Sequence, residues 1–489
     1  MTKIDTAYEA VIGLEVHCEL STVTKLFCGC LNEFGAEPNT HICPVCLGLP
    51  GSLPVLNEQA VAFALRFAEA VELHVPEQSI FARKNYFYPD MPKDYQISQY
   101  EEPITVDGWI DVDGARIGIE RAHLEEDTGK STHVGGGGRI HEAAYSLVDY
   151  NRAGVPLMEI VSRPDLRSAE PARAYATELR GVLAAIGVSD VKMEEGSMRV
   201  DANVSVRPVG TSELGTKVEI KNMNSLRSLG RAIDYEIARQ VEAIAAGERI
   251  VQETRHWDEA TGRTGSMRSK EGSSDYRYFP EPDLVPVAPT AEMREAVRAT
   301  MPELPAARRA RLVEAWGIGE GEARVLVAHA GLAEYAEAAV DALTGGTAKD
   351  VVNWCVGDVL GHLNETGLAV TVLPLAPDGL AELVGLVADG TISRGQAKDV
   401  LAECLHEPKR PAQVVEERGL SQVSDEGELG AVVDQVLAEN ADIVEEYRAA
   451  DDKGRAKKVG ALMGKAMGVT KHQANPKLLR DLLEQRLRT

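Results

Sequence analysis

Apolar and polar residues alternate most cleanly over Arg199–Arg207. Val200, Ala202, Val204 and Val206 fall on one side, and Arg199, Asp201, Asn203, Ser205 and Arg207 on the other. A period of two is that of a strand with one face in a core. A turn containing Pro208 and Gly215 follows, then Lys217-Val-Glu-Ile-Lys221, polar at every second position, which completes an antiparallel hairpin with one charged face. Elsewhere the period lengthens to that of a helix. Ser168 can cap a helix with the stripe Tyr175, Leu179, Val182, Leu183 and Ile186, stopped by Gly187. Ser225 can cap a second, with Leu226, Leu229, Ile233, Ile237, Val241 and Ile244 inward and Gly247 after it. Sheet with packed helices predicts an α+β domain.

Prolines cluster from Pro280 to Pro305, and from Ala291 onward the chain is rich in Ala, Leu, Glu and Arg at helical spacing. A second break falls at Pro408 and Pro411. The expected division is 1–294, an antiparallel-sheet cradle; 295–406, an all-α helical domain; and 407–489, an all-α tail. A length of 489 residues suits roughly three domains. Gly135–Gly138 reads as a flexible loop tip. The strongest apolar run, Gly367–Ala376, is well short of the roughly 18 residues of a membrane span. Met1–Ala10 lacks the order of a signal peptide. A cytoplasmic location is expected.

Charge changes the picture at one end. The chain carries 52 basic and 76 acidic residues, a formal net charge of −24. Such a chain repels nucleic acid at long range unless a local basic patch intervenes. Residues 452–489 supply one, with ten Lys or Arg against three acids, and Asn475-Pro476 opens a last helix with Leu478, Leu479, Leu482 and Leu483 inward. A solvated helical face is the plain alternative; phosphate contact is the functional one.

Four of the seven cysteines form Cys28-x-Cys30 and, twelve residues later, Cys43-x-x-Cys46. Two close pairs across a loop suit tetrahedral zinc, and four thiolates close the coordination sphere, so such a site is structural. Four reduced core cysteines are the alternative. Glu15, His17 and Glu19 share one face of an extended segment; Arg121-Ala-His123-Leu-Glu125-Glu126-Asp127 again masses carboxylates beside a histidine; Gln252-Glu253-Thr-Arg255 is a third acidic stretch. Carboxylates without thiols suit magnesium, which arrives with nucleotide phosphates, although solvated strand faces look the same. Asp127-Thr-Gly-Lys-Ser131 imitates the end of a P-loop, but Leu124 stands where its first glycine belongs. Lys84 to Gln96 interleaves tyrosines with charges, so Tyr86 and Tyr88 could stack on a base or simply pack a loop.

Taken in order, several stretches resemble one family, the B subunits of the tRNA-dependent amidotransferases (GatB-type). They are Tyr8–His17, Arg83–Asp90, His123–Asp127, Val191–Gly196, Arg199–Asn203, Lys221–Ser225, Asp275–Asp283 and the tail from Gly464 to Pro476. The resemblance implies a cradle related to glutamine synthetase and the guanidino kinases. It also implies ATP-dependent phosphorylation of the side-chain carboxylate of Glu-tRNA(Gln) or Asp-tRNA(Asn), followed by amidation. Ammonia would come from an amidase-type glutaminase, the A subunit, and a small C subunit would complete a heterotrimer. The same resemblance implies that Glu15, His17, Glu125, Glu126 and Glu253 hold magnesium and carry catalysis. Lys84, Arg199, Asp201, Lys217 and Lys221 would meet ATP or the acyl phosphate, and Tyr86, Tyr88, Lys465, Lys471 and His472 the tRNA end. Some members lack the four cysteines, so zinc would not be catalytic. Rival readings are a non-catalytic tRNA-binding scaffold and a stand-alone ligase for a free amino acid.

Overall fold

The computed structural model describes residues 7–135, 143–269, 276–420, 426–470, 474 and 476–488; at 268, 269, 426, 452, 453 and 476 only the backbone is described. The tip Gly135–Gly138 beyond its first residue, Asp275, Lys471 and His472 lie outside the described residues. The chain forms two compact units, divided at Pro305.

The first unit runs β1 (Tyr8–Glu19), α1 (Glu58–Ala70), β2 (Ala82–Asn85), β3 (Tyr95–Ser98), β4 (Thr105–Val112), β5 (Ala115–Glu126), β6 (Lys130–Val134), β7 (Tyr145–Asp149) and β8 (Pro156–Ser162). It continues through α2 (Ala169–Ala185), β9 (Met198–Pro208), β10 (Val218–Met223), α3 (Leu226–Ala245), β11 (Glu253–Asp258), β12 (Arg263–Ser269), β13 (Phe279–Pro280) and α4 (Ala291–Arg298). Eight strands make one sheet in the order β12-β11-β10-β9-β1-β8-β5-β4; β13-β2-β3 make a small second sheet and β6-β7 a separate hairpin. Neighbours in the large sheet are antiparallel except β10 and β11, which α3 joins as a parallel crossover.

The alternation in β9 is realised: Val200, Ala202, Val204 and Val206 are buried. So are Ile12, Leu14 and Val16 of β1 and Met158 and Ile160 of β8. These residues belong to one apolar cluster with the inward stripes of α1, α2 and α3, including Phe67, Tyr175, Leu179, Leu183, Leu229 and Ile233. The helices thus cover one face of the sheet. The other face carries the polar set. Ser225 caps α3 by accepting the Ser228 amide, as its position predicts, whereas Ser168 flanks α2 in extended geometry without a side-chain cap bond. Lys130, in the P-loop-like stretch, opens the hairpin strand β6 and no helix, as the missing glycine predicts.

The second unit is all helical among its described residues. One apolar cluster draws on residues from Leu312 to Val415, and another on residues from Leu429 to Leu487. In the final helix, Pro476–Arg488, Leu479 and Leu483 are buried while Leu478 and Leu482 pack at the margin. No helix among the described residues is long and apolar enough to cross a membrane.

Candidate active site

Strand register builds the site. His123 of β5 pairs with Glu159 of β8, Glu159 with His17 of β1, and His17 with Arg199 of β9. Because side chains repeat every second residue, Glu125 joins this face two residues beyond His123, and Glu15 two before His17. His17 Nε2 lies 3.4 Å from Glu159 Oε2 and 3.8 Å from both Glu15 Oε1 and Glu125 Oε1. His123 Nε2 lies 3.8 Å from Glu125 and 3.9 Å from Glu159.

Three overlapping sets bring ligand atoms within 4.8 Å of one another: Glu15, His17 and Glu159; His123, Glu125 and Glu159; and Glu15, Asp201 and Glu219. Carboxylates this dense repel one another unless a cation sits among them. The protonation pattern bears the mark of that. Burial opposes charge on His17, yet its hydrogen bond to Glu159 and the fields of Glu159, Glu125 and Asp201 lift its pKa to about 9. Burial and the Glu159 charge raise Glu15. Burial works against the Glu125 and Glu159 charges too, but the histidines outweigh it and hold both below the ordinary range. Oxygen-rich donors with one or two imidazoles fit a hard divalent ion, magnesium or manganese.

A cavity of about 420 Å³ opens over this strip, lined by Glu15, His123, Glu125, Glu159, Glu219 and Glu253 together with Lys84, Lys217 and Lys221. Lys221 Nζ is 2.7 Å from Asp201 and 3.1 Å from Glu219. Burial disfavours its charge, but Asp201 and Glu219 push its pKa up. Lys84, from the small sheet, lies 5.0 Å from the Tyr276 ring centre, and Glu125 holds its pKa above the lysine norm against burial. Tyr100, Tyr276 and Tyr278 also line the cavity. Tyr100 and Tyr278 are stacked, with centroids 4.2 Å apart.

The predicted site residues divide. Glu15, His17, Glu125 and Asp201 converge on the strip, with Lys84, Lys217 and Lys221 around it. Glu253 borders the cavity but is held by Arg255 at 2.6 Å and joins none of the three sets. Glu126 goes elsewhere: as the neighbour of Glu125 on a strand it faces the opposite side, where its buried carboxylate pairs with Lys93 and accepts the Ile97 amide at 2.8 Å. Arg199 turns to Asp127, 2.8 Å away. Tyr86 and the half-exposed Tyr88 are not among the residues that line the cavity. Lys465 is exposed on the helix Asp452–Val469. Sequence reasoning missed Glu159, Glu219, Tyr100, Tyr276 and Tyr278 as site residues. The signal for Glu159 was present, a single acid in the otherwise apolar run Pro156–Val161.

The four cysteines gather as their spacing predicts, with all four sulfurs within 4.8 Å of one another and those of Cys43 and Cys46 3.9 Å apart. Zinc–sulfur bonds of about 2.3 Å in tetrahedral geometry set ligand sulfurs about 3.8 Å apart, so the donor set fits zinc.

The family described as "GatB/GatE catalytic domain" matches residues 10–295, and that described as "GatB domain" matches residues 334–487. Curated relatives, each named as the B subunit of an aspartyl/glutamyl-tRNA(Asn/Gln) amidotransferase, match almost end to end. The Thermosynechococcus vestitus protein is 53% identical over 99% of this chain and 98% of its own length. The Carboxydothermus hydrogenoformans protein is 51% identical over 98% and 99%, and the Nocardia farcinica protein 52% identical over 97% and 95%. With its sheet, its acidic strip and these likenesses running the length of both units, the chain belongs to the family of the amidotransferase B subunits.

Proposed function

We propose that this chain activates the side-chain carboxylate of Glu-tRNA(Gln) or Asp-tRNA(Asn) with ATP and amidates it at the face of the large sheet. The observation that carries the reading is the convergence of Glu15, His17, Glu125 and Glu159, from three strands, beneath a cavity bordered by three lysines. A carboxylate resists ammonia because oxide cannot leave. Transfer of the γ-phosphoryl group to one carboxylate oxygen makes an acyl phosphate. Ammonia then forms the C–N bond and phosphate departs with the C–O electrons.

Such a transfer demands positioning and charge neutralisation rather than a protein nucleophile. Magnesium held by Glu15, His17, Glu125 and Glu159 would draw charge off the phosphate oxygens. Lys84, Lys217 and Lys221 offer cations for the phosphates and the departing group. Lys221 is already oriented by Asp201 and Glu219. Tyr100, half-exposed and stacked on Tyr278, offers an aromatic surface for a base. Ammonia would reach the cavity from a glutaminase subunit, with a small third subunit completing a cytoplasmic heterotrimer. The basic tail, residues 407–489 in this division, would hold tRNA. The cysteine cluster would hold a structural zinc.

The test is amide transfer by the complex assembled with Glu125→Ala. Transfer to misacylated tRNA should disappear while the partner's glutaminase persists, and ATP hydrolysis by the parent complex should depend on magnesium and on misacylated tRNA. Full transfer by the variant sinks the site assignment. ATP-independent transfer sinks the mechanism.

A further inference from the structure

Lys25 is fully buried, a rare state for a lysine, because leaving water costs an ammonium several kcal/mol unless a counter-charge is near. Its ammonium donates to two backbone carbonyls, His41 at 2.8 Å and Tyr150 at 3.3 Å. No carboxylate among the described residues comes within ion-pair distance of it. Glu126 borders Gly154 through its Oε2, and its charge is already matched by Lys93, which together with the Ile97 amide holds Oε1. What does adjoin Lys25 is the cysteine cluster. The Lys25 amide donates to the Cys30 carbonyl at 3.0 Å. A methyl placed on Gly154 would touch both Lys25 Cδ and Cys46 Cβ at 3.5 Å, so the two side chains flank one point.

Four thiolates around one divalent ion retain surplus negative charge, and on the side of the buried Cys46, away from water, that charge needs a partner. We propose that Lys25 is the counter-ion of the zinc tetrathiolate: a positioning residue whose ammonium compensates the metal cluster. The cluster explains the burial of Lys25. The ammonium also ties the zinc loop, through His41, to the segment that leads into β8, through Tyr150, so metal loading stiffens that junction. The proposal rests on the tetrathiolate reading above and adds to it the identity of the charge partner.

This makes a prediction of sign, not only of size. With zinc bound, Lys25→Met removes a needed charge. With zinc stripped and the thiols protonated, the same substitution removes an uncompensated one. The full chain, as parent, Lys25→Met and Lys25→Arg, is analysed for zinc, titrated with a competing chelator, and melted with zinc and after chelation. Lys25→Met should weaken zinc at least about tenfold and lower Tm in the loaded form, but the Tm loss should vanish or reverse after chelation; Lys25→Arg should keep most of the affinity. An equal Tm loss in both forms, with zinc affinity unchanged, overturns the proposal and leaves Lys25 a hydrogen-bonding strut. Absence of zinc in the parent chain overturns the tetrathiolate reading itself. Should Lys25→Met fail to fold, Lys25→Gln, which keeps a donor for the His41 carbonyl, takes its place with the same two outcomes.

Discussion

Glu159 sits between two imidazoles, 3.4 Å from His17 and 3.9 Å from His123, in a strand whose other positions through Val161 are apolar. Glu159→Gln keeps its volume and removes its charge. Divalent-ion-dependent ATP turnover should fall at least about a hundredfold, while the melting curve stays near the parent's; parental turnover would remove Glu159 from the site. A second residue makes the opposite kind of prediction. Tyr175 is fully buried in the core between sheet and helices, and its hydroxyl has no hydrogen-bond partner among the described residues. Burial alone pushes its pKa up. An unpaired buried hydroxyl costs about 1–3 kcal/mol, so Tyr175→Phe should raise the urea midpoint by an amount worth about 1 kcal/mol. A lowered midpoint would reveal a partner for that oxygen. At this scale the sequence was readable where a residue stood in a local pattern, as Glu15, His17 and the four cysteines do. It was silent about Tyr100 and Glu219, whose roles depend on which distant strands become neighbours. At Glu126 the resemblance grouped two adjacent acids that the alternation of a strand sends to opposite faces.

Among the elements, the hairpin of β9 and β10 and the helices α2 and α3 were legible because burial on one face imposes a period the eye can follow. The order of the sheet was not. No local pattern says that β1 lies between β8 and β9, or that α3 carries the chain across to a parallel neighbour. The close approach of β9 to the turn before β10 shows why Gly215 is there: a Cβ at that position would lie 2.2 Å from the Val206 carbonyl oxygen. Gly215→Ala must therefore push backbone from backbone. It should destabilise the first unit by about 1–3 kcal/mol, read as a lower urea midpoint at unchanged slope. A neutral result would mean the turn has room to move. Lys217, just before β10, and Lys221, within it, should be displaced in that variant before the fold is lost.

For the whole molecule, the acidic total and the basic end set an electrostatic contrast that composition alone disclosed. The helix Asp452–Val469 exposes Lys457 and Lys465, and the final helix exposes Lys477 and Arg488. If this end grips tRNA phosphates, affinity should fall steeply with salt, and Lys465→Ala should reduce the slope of log K against log salt by about one without changing which tRNA is preferred. A slope that Lys465→Ala leaves unchanged would exclude that lysine from phosphate contact.

β5 is a wall shared by two rooms: Glu125 joins the acidic strip and its immediate neighbour Glu126 grips Lys93 on the other side. Insertions at the exposed turn around Gly114 only lengthen a loop, because both carboxylates keep their partners. Adding or removing one residue within the strand between that turn and Glu125 would turn every later side chain through the wall. Drift along this lineage can therefore rewrite the turn that precedes β5 freely, but it must conserve the parity of the count from the start of the strand to Glu125.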